Sequence, residues 1–513
     1  MPLPRLGAGG LTRRAFVVSA TCIVGAQALI LASHFTNHEL SLDEAVTFFV
    51  SAMPWRSVIA VPISFQSQPP LFYLALHGWI RLGDNETVLR ALPVLLMAGA
   101  ALTLLCASSL TRLTRVVAVA LLLLSPYGEY LTRLIRPYSL SVWLSLGSCL
   151  LFTRLLTGSR IRLRSYAAFI AVTTLMAYSL AMTAWVLVAE GACAAVAIGL
   201  EGRRAGARRA VERHGALLWS VAIVAALYLP FVIAVWHYQG DVGEPSIRAT
   251  LADATNPRYF VSGPLYLLAM PDGFGYLAAA AAAWGAWIGF RRRDPLVGVL
   301  LVVVLAQISL THGFLAGRSG FGFRYLAPAF PALCLLAALG ADHSLSRVPG
   351  AGTAVAACAV GALIAAGVSF AHAPRAAPLL PWELIRADFA TLPGIKEMFF
   401  ELGWDAQPLR YELRHDPEVR MMVDAGSGWA LFGQPMTADY VTHTVDRDVA
   451  GAETMFFYAF DPITDGPVFH QAFEPAMARH HCVRTYEREI PTATRSAPGG
   501  LGALLYGYVC HAR

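Results

Sequence analysis

The sequence predicts an α-helical polytopic membrane protein of about eleven transmembrane helices, followed by a small external α/β domain. Of its 513 residues, 56% are hydrophobic and only 14% are charged, whereas about a quarter of the residues in a soluble domain are charged. The mean hydropathy is +0.55. Apolar residues come in runs of roughly twenty, the length that a helix needs to cross a bilayer, and lack the strict alternation of a membrane barrel.

The predicted spans are apolar runs between short Arg-rich or Gly/Pro-rich breaks. Helices are expected because backbone polar groups in lipid must be bonded within their own segment. The first span lacks a clear small-residue cleavage site and is longer than a typical signal region, so we expect it to be retained. The spans are 15–34, 88–109, 116–128, 138–157, 166–180, 182–200, 216–236, 274–290, 296–312, 325–341 and 351–371.

Arginines predict the orientation, because short cytoplasmic loops carry an excess of Lys and Arg. Arg-rich segments precede the first span and follow the second, fourth, sixth and eighth, so all fall on one side if the N-terminus is cytoplasmic. We therefore expect a multi-pass protein of a bacterial inner (plasma) membrane whose C-terminal domain is external. The basic residues form no continuous patch, which argues against nucleic-acid binding.

The composition changes near residue 371, which predicts a membrane domain over 1–371, with an external loop at 35–87, and a soluble domain over 372–513. Strands are expected near 420–424, 455–460 and 503–510, and helices over 382–390 and 394–402. Cys482 and Cys510 are the only cysteines of this domain, and an oxidising compartment favours a disulfide between them. We expect the domain to be a cap that shields or positions substrate.

An acidic pair, Asp43 and Glu44, opens the first external loop. An aromatic stripe with Phe48, Phe49 and Trp55 follows it, which is typical of a helix lying in the membrane interface. A solvated charged surface is the simpler interpretation of the pair alone. Further along, paired prolines precede a second expected interfacial helix over 71–81.

Arginines also lie on the external side, against the orientation rule. Arg90 and Arg136 begin the second and fourth spans, and Arg324 precedes the tenth. Snorkelling to lipid headgroups is one explanation. Several guanidinium groups on the same face as the acids favour a phosphate site, since the planar fork of Arg bonds two phosphate oxygens.

In these motifs the sequence resembles the GT-C glycosyltransferases, in the bacterial branch related to protein O-mannosyltransferases and lipid A aminoarabinose transferases. The resemblance covers roughly residues 15 to 341, and the order, spacing and shared membrane side of its motifs make it specific. The motifs are Leu42-Asp43-Glu44-Ala45, Gln68-Pro69-Pro70-Leu71-Phe72-Tyr73 with His77, Glu86 to Arg90, Arg136-Pro137-Tyr138-Ser139-Leu140 and Arg324-Tyr325-Leu326.

The resemblance implies inverting transfer of a single sugar from a polyprenyl-phosphate donor to a lipid, glycan or protein acceptor at the external face. Asp43 would be the catalytic base, and Glu44 would orient it or bind a metal. Some relatives need a divalent cation and others do not, so no cofactor is certain. The residues expected near the donor and its phosphate are Tyr73, His77, Arg90, Arg136, Tyr138, Arg324 and Tyr325.

The chain departs from its relatives at one place. They often carry a Glu just before the Arg-Pro-Tyr motif, where this sequence has Leu134 and Ile135. Either Glu129 substitutes as a second acid from one turn earlier, or no second acid is used. Glu129 could instead pair with Arg133, one helical turn away.

Two other functions compete with the transferase. A transporter or flippase of lipid-linked saccharides would need charges or broken helices at mid-membrane, and only Glu190 fits that description. A non-catalytic scaffold would leave the acidic pair and the external arginines unexplained. The transferase therefore accounts best for the sequence, with the sugar and the acceptor left open.

Overall fold

The chain divides into two compact units in the computed structural model. The first comprises Met1–Phe35 and Ser51–Ala373, and the second comprises Thr36–Val50 and Pro374–Arg513. This differs from the predicted boundary by joining the start of the 35–87 loop to the C-terminal unit. The described residues are 11–34, 40–158, 161–238, 256–269, 273–315, 323–372, 386, 389, 391, 396–400, 407–416, 419–421, 454–459, 474–490 and 503–510.

The described part of the N-terminal three quarters of the chain is helical. One 3₁₀ turn, Ile80–Leu82, follows α4, and another, Phe323–Ala329, carries Arg324 and Tyr325. The α-helices are α1 Arg13–His34, α2 Leu42–Ala52, α3 Trp55–Gln66, α4 Leu71–Trp79, α5 Glu86–Cys106, α6 Arg112–Leu124, α7 Pro126–Arg133, α8 Tyr138–Thr157, α9 Leu163–Ala177, α10 Ala184–Ala205, α11 Ala207–Tyr238, α12 Pro257–Ala269, α13 Gly273–Arg292, α14 Pro295–Leu315, α15 Phe330–Leu345 and α16 Ala351–His372.

Eight membrane-crossing stretches, judged by length and apolar composition, occur among the described residues. They contain α1, α5, α8, α10, α11, α14, α15 and α16, and α9 is a shorter apolar helix. Helices α6 and α13 coincide with the other two predicted spans. All eleven predicted spans therefore overlap a helix, and the predicted fold class of a polytopic helical membrane protein is confirmed.

Side-chain caps fix where several helices begin. The Asn85 side chain accepts a hydrogen bond from the Val88 amide at the start of α5, and Thr111 does the same for α6. Ser125 caps α7, with Pro126 at the first helical position. The predicted span 116–128 was wrong at its end, because this Ser-Pro pair stops α6 at Leu124 and starts a separate helix.

Small and polar residues set the close contacts between helices of the first unit. Gly285 of α13 and Gly340 of α15 face each other's backbones, where a side chain on either would collide with the opposite helix. The buried Ser148 hydroxyl donates to Glu190 Oε1 (2.7 Å) and lies 2.7 Å from the Thr173 hydroxyl. Glu190 thus makes a structural polar contact that joins α8, α9 and α10.

The second unit contains a five-stranded mixed sheet in the order β2-β1-β3-β5-β4. Strand β1 is parallel to β2 and β3, and β5 is antiparallel to β3 and β4. Two short helices accompany the sheet. The elements are β1 Lys396–Phe400, α17 Gln407–Glu412, β2 Val419–Met421, β3 Thr454–Ala459, α18 Glu474–Arg479, β4 Cys482–Ile490 and β5 Ala503–Cys510.

The α/β class and three of the strands match the sequence predictions, but the helix predicted over 394–402 was wrong. Strand β1 occupies those residues because it pairs with strands on both sides, and that pairing overrides local preference. The helix predicted over 382–390 lies almost wholly outside the described residues. Cys482 and Cys510 stand opposite each other in β4 and β5 and are joined by a disulfide.

Candidate functional site

The acidic pair lies in the first turn of α2, which begins with a capping box. Ser41 is the cap, and its backbone amide and hydroxyl both donate to Glu44 Oε2, at 2.9 and 2.8 Å. Glu44 is 3% exposed, whereas Asp43 is half-buried. The two neighbouring carboxylates therefore differ: Glu44 fixes the start of the helix, and Asp43 lies one position before it in the same first turn.

A group of arginines lies at one end of the helix bundle in the first unit. Arg90, near the start of α5, is 4% exposed and its Nη1 donates to the Arg133 carbonyl oxygen at the end of α7 (2.8 Å). Arg133 is paired with Glu129, one turn earlier. Burial, and after it the neighbouring Arg90 guanidinium, lowers the pKa of Arg133. Like charges are thus held close together.

Arg136 completes this group from the link between α7 and α8. It is 7% exposed, and its amide donates to the Leu134 carbonyl (2.8 Å) in a tight turn. The Ser139 hydroxyl donates to the Leu131 carbonyl (2.7 Å), which ties the start of α8 back to α7. Tyr138 is buried at the first position of α8. We call Arg90, Arg133 and Arg136 the arginine cluster.

An aromatic group connects α7 to the turn that carries Arg324 and Tyr325. The Tyr127 hydroxyl donates to the Phe323 carbonyl (3.1 Å), and the Tyr127 ring meets Phe330 edge-on at 5.0 Å. Phe323 also stacks on Tyr266 of α12 at 3.9 Å.

Arg324 and Tyr325 are both half-buried. The Arg324 guanidinium lies 5.6 Å from the Tyr325 ring centre, and the Tyr325 carbonyl accepts from Gln307 of α14 (3.1 Å). Through the Tyr127 contacts, Arg324 lies at the same end of the bundle as the arginine cluster.

Helix α4 carries Tyr73 and His77, and its ends are fixed. The Leu71 amide donates to the Tyr178 carbonyl (3.2 Å), and the Trp79 indole donates to the Val88 carbonyl (2.7 Å), two residues before Arg90.

Tyr73 is fully buried and its hydroxyl donates to Gln66 (2.5 Å). Nδ1 of the half-buried His77 donates to the Ser51 carbonyl (2.7 Å), because a carbonyl oxygen only accepts. The predicted second interfacial helix thus ends two residues early, in the 3₁₀ turn.

No group of three or more His, Cys, Asp or Glu side chains is placed to hold a metal ion in the described part of the chain. At the acidic pair, Glu44 Oε2 already accepts two hydrogen bonds from Ser41. The divalent cation remains a prediction.

The structure bonds Arg90 to the end of α7, three residues before Arg136, and links the turn of Arg324 and Tyr325 to α7 through Tyr127. It places Tyr73 and His77 on α4. Asp43 and Glu44 belong to the second unit. The sequence analysis did not identify two residues at this end of the bundle. Arg133 was expected only as a partner of Glu129, and Tyr127 was not considered. The three-residue spacing of Arg133 and Arg136 was the available signal for the first.

Comparison with solved structures identifies the fold. No protein-family model matches the sequence, and no curated protein matches it. The chain is similar to ArnT from Cupriavidus metallidurans bound to undecaprenyl phosphate, with a TM-score of 0.60 and 13% identity over 97% of this chain and 98% of that one. Apo ArnT from the same organism gives a TM-score of 0.56 and 13% identity, over 95% and 97%. The chain therefore shares the fold of ArnT, which agrees with the fold that the resemblance implied.

Proposed function

We propose that this protein is a membrane glycosyltransferase that moves one sugar from a polyprenyl-phosphate donor to a lipid, glycan or protein acceptor at the external face. The observation that carries the proposal is the arginine cluster, in which Arg90 and Arg136 are almost fully buried at one end of a GT-C helix bundle. The structural neighbour ArnT binds undecaprenyl phosphate, a ligand of the same chemical class.

The cluster suits a phosphate because it contains two buried arginines, Arg90 and Arg136, beside the partly exposed Arg133. The neighbouring Arg90 guanidinium repels the charge of Arg133 and, after burial, contributes to the lowered pKa of Arg133. An anionic phosphate would relieve that repulsion and accept two parallel hydrogen bonds from a guanidinium fork. Arg324, at the same end, is the candidate fourth cation.

The reaction follows from these charges. An acceptor hydroxyl attacks the anomeric carbon, and the Asp43 carboxylate takes its proton as the new bond forms. The bond between that carbon and the phosphate oxygen breaks on the opposite side, and the electron pair leaves with polyprenyl phosphate. Arginines stabilise the phosphate as its charge develops. This single displacement inverts the anomeric centre and needs no covalent intermediate.

The neighbouring acids have different roles in this mechanism. Glu44 holds the start of α2 through Ser41, which keeps Asp43 in the first helical turn. Glu129 is paired with Arg133, so it orients a member of the arginine cluster. We propose Asp43 as the only base of the reaction.

Radiolabelled polyprenyl-phosphate sugar incubated with membranes that contain the protein tests the function. We expect label to appear in a new acceptor, with polyprenyl phosphate released. Label that crosses the membrane still attached to its donor would indicate a transporter and would contradict the proposal. Membranes with the Asp43→Asn variant are the matched control.

A further inference from the structure

Within the second unit, helix α17 packs against α2, the helix that carries Asp43. The Phe48 ring, on α2, meets the Tyr411 ring of α17 edge-on, with the ring centres 5.0 Å apart. The Arg410 guanidinium lies 4.3 Å from the centre of the Phe49 ring. Arg414, just after α17, lies 3.7 Å from the Tyr411 ring centre and 6.0 Å from that of Phe48.

These contacts are buried, so they stabilise α2 more than exposed contacts would. Tyr411 is 1% exposed and Phe48 is 5% exposed. Arg410 is desolvated, and burial lowers its pKa. An aromatic pair of this geometry stabilises by about 0.5–1.5 kcal/mol beyond its buried area, and a desolvated cation over a ring adds to it.

Helix α2 needs such contacts. It has eleven residues, and isolated helices shorter than about 12–15 residues are marginal in water. The capping box fixes its first turn, whereas Phe48 and Phe49 lie beyond that turn. Asp43 is five residues before Phe48, a distance of about 7.5 Å along the axis, so a tilt of the helix at Phe48 would displace the carboxylate.

We propose that Tyr411 and Arg410 are positioning residues that hold α2, and with it the Asp43 carboxylate, in the place that sugar transfer requires. This inference rests on the proposed function and gives the C-terminal domain a definite role in it. The domain supplies no reacting group. It holds α2 through the Tyr411 ring against Phe48 and the Arg410 guanidinium over Phe49.

The test compares Tyr411→Ala with Tyr411→Phe in the full chain in membranes. We expect Tyr411→Ala to lower kcat by about 10- to 100-fold, because small misplacements of reacting groups have effects of that size. The KM for the polyprenyl-phosphate donor should stay within twofold, and Tyr411→Phe, which keeps the ring, should restore kcat. Arg410→Gln, which leaves Tyr411 in place, should lower kcat in the same direction. Glu487→Ala, an exposed position on β4 of the same unit, is the neutral control.

A structural readout accompanies the kinetics. Thiols introduced by Phe48→Cys and Tyr411→Cys in one chain should be joined by a short bifunctional maleimide, with the linked peptides identified by mass spectrometry. No linkage, or Tyr411→Ala and Arg410→Gln variants with unchanged kcat, would overturn the positioning role while leaving the proposed function intact. Absence of transfer by the unmodified protein would instead overturn the proposed function, and the positioning role with it.

Discussion

The arginine cluster and the acid-bearing helix α2 are built in different ways. In the cluster, Arg90 is fixed by its bond to the Arg133 carbonyl, and Arg133 by its pairing with Glu129. Helix α2 is fixed as a whole, by a capping box at its start and by α17 at Phe48 and Phe49. Damage to the cluster should therefore weaken phosphate binding, whereas damage around α2 should slow the chemical step.

The largest expected effect is at Asp43. Asp43→Asn keeps the shape of the side chain but removes the base, and general base catalysis contributes about 10²- to 10⁴-fold. We expect kcat to fall by about 10³-fold, with unchanged membrane insertion and thermal stability. Transfer of radiolabelled sugar by purified protein measures this. Activity within a few-fold of the unmodified protein would rule out Asp43 as the base.

The next effect is at Arg136. Arg136→Gln removes one buried cation, and loss of a single donor to a developing charge costs about 10²- to 10³-fold. The KM for the donor should rise, and kcat/KM should fall by about 10²-fold. Arg154→Gln, at an exposed position near the other end of α8, serves as the control. An Arg136→Gln variant with the KM of the unmodified protein would remove Arg136 from the phosphate site.

A smaller effect at Glu44 separates the two acids. Gln at the third helical position also completes a capping box, so Glu44→Gln should keep transfer within a few-fold. Glu44→Ala should lose about 1 kcal/mol of stability, the typical value of a helix cap, and a modest part of kcat. Thermal unfolding and transfer assays on both variants check this. An inactive Glu44→Gln variant would show that the carboxylate itself takes part, as a metal ligand or a second base.

The smallest effect on transfer is expected from the disulfide. Cys482→Ser with Cys510→Ser opens a loop with a sequence separation of 28, which should destabilise the C-terminal domain by about 3–4 kcal/mol. Transfer at low temperature should stay within twofold, because the bridge joins β4 to β5 and not α17 to α2. Urea-dependent proteolysis of the domain reports the stability loss. A large loss of transfer with the domain still folded would mean that the strands also position α2.

Much of the first unit could be predicted because membrane spans depend on local composition. Each of the eleven predicted spans overlaps a helix, and the span at 138–157 coincides with α8. The prediction failed where a polar pair divides an apolar stretch, as Ser125 and Pro126 do between α6 and α7. As a result, the sequence does not predict α7, which carries Glu129 and Arg133, as a separate helix.

Contacts between distant segments could not be predicted. The sequence predicts a helix over 394–402, where the structure has β1. The pairing of β1 with β2 and β3 is a tertiary effect that the local pattern does not show. The aromatic residues Phe48 and Phe49 were interpreted as membrane-facing, whereas the structure packs them with α17. The resemblance suggested catalytic roles for both acids, but only the geometry of Ser41 and Glu44 separates a capping residue from the candidate base.

The central claim is that the arginine cluster binds the phosphate and that helix α2 supplies the base. It is tested most directly by binding of radiolabelled undecaprenyl phosphate to the purified Asp43→Asn and Arg136→Gln variants, with sugar transfer measured on the same samples. Asp43→Asn should bind the lipid as the unmodified protein does and transfer sugar about 10³-fold more slowly, whereas Arg136→Gln should bind the lipid weakly. Lipid binding that depends on Asp43 and is unaffected by Arg136→Gln would contradict the account.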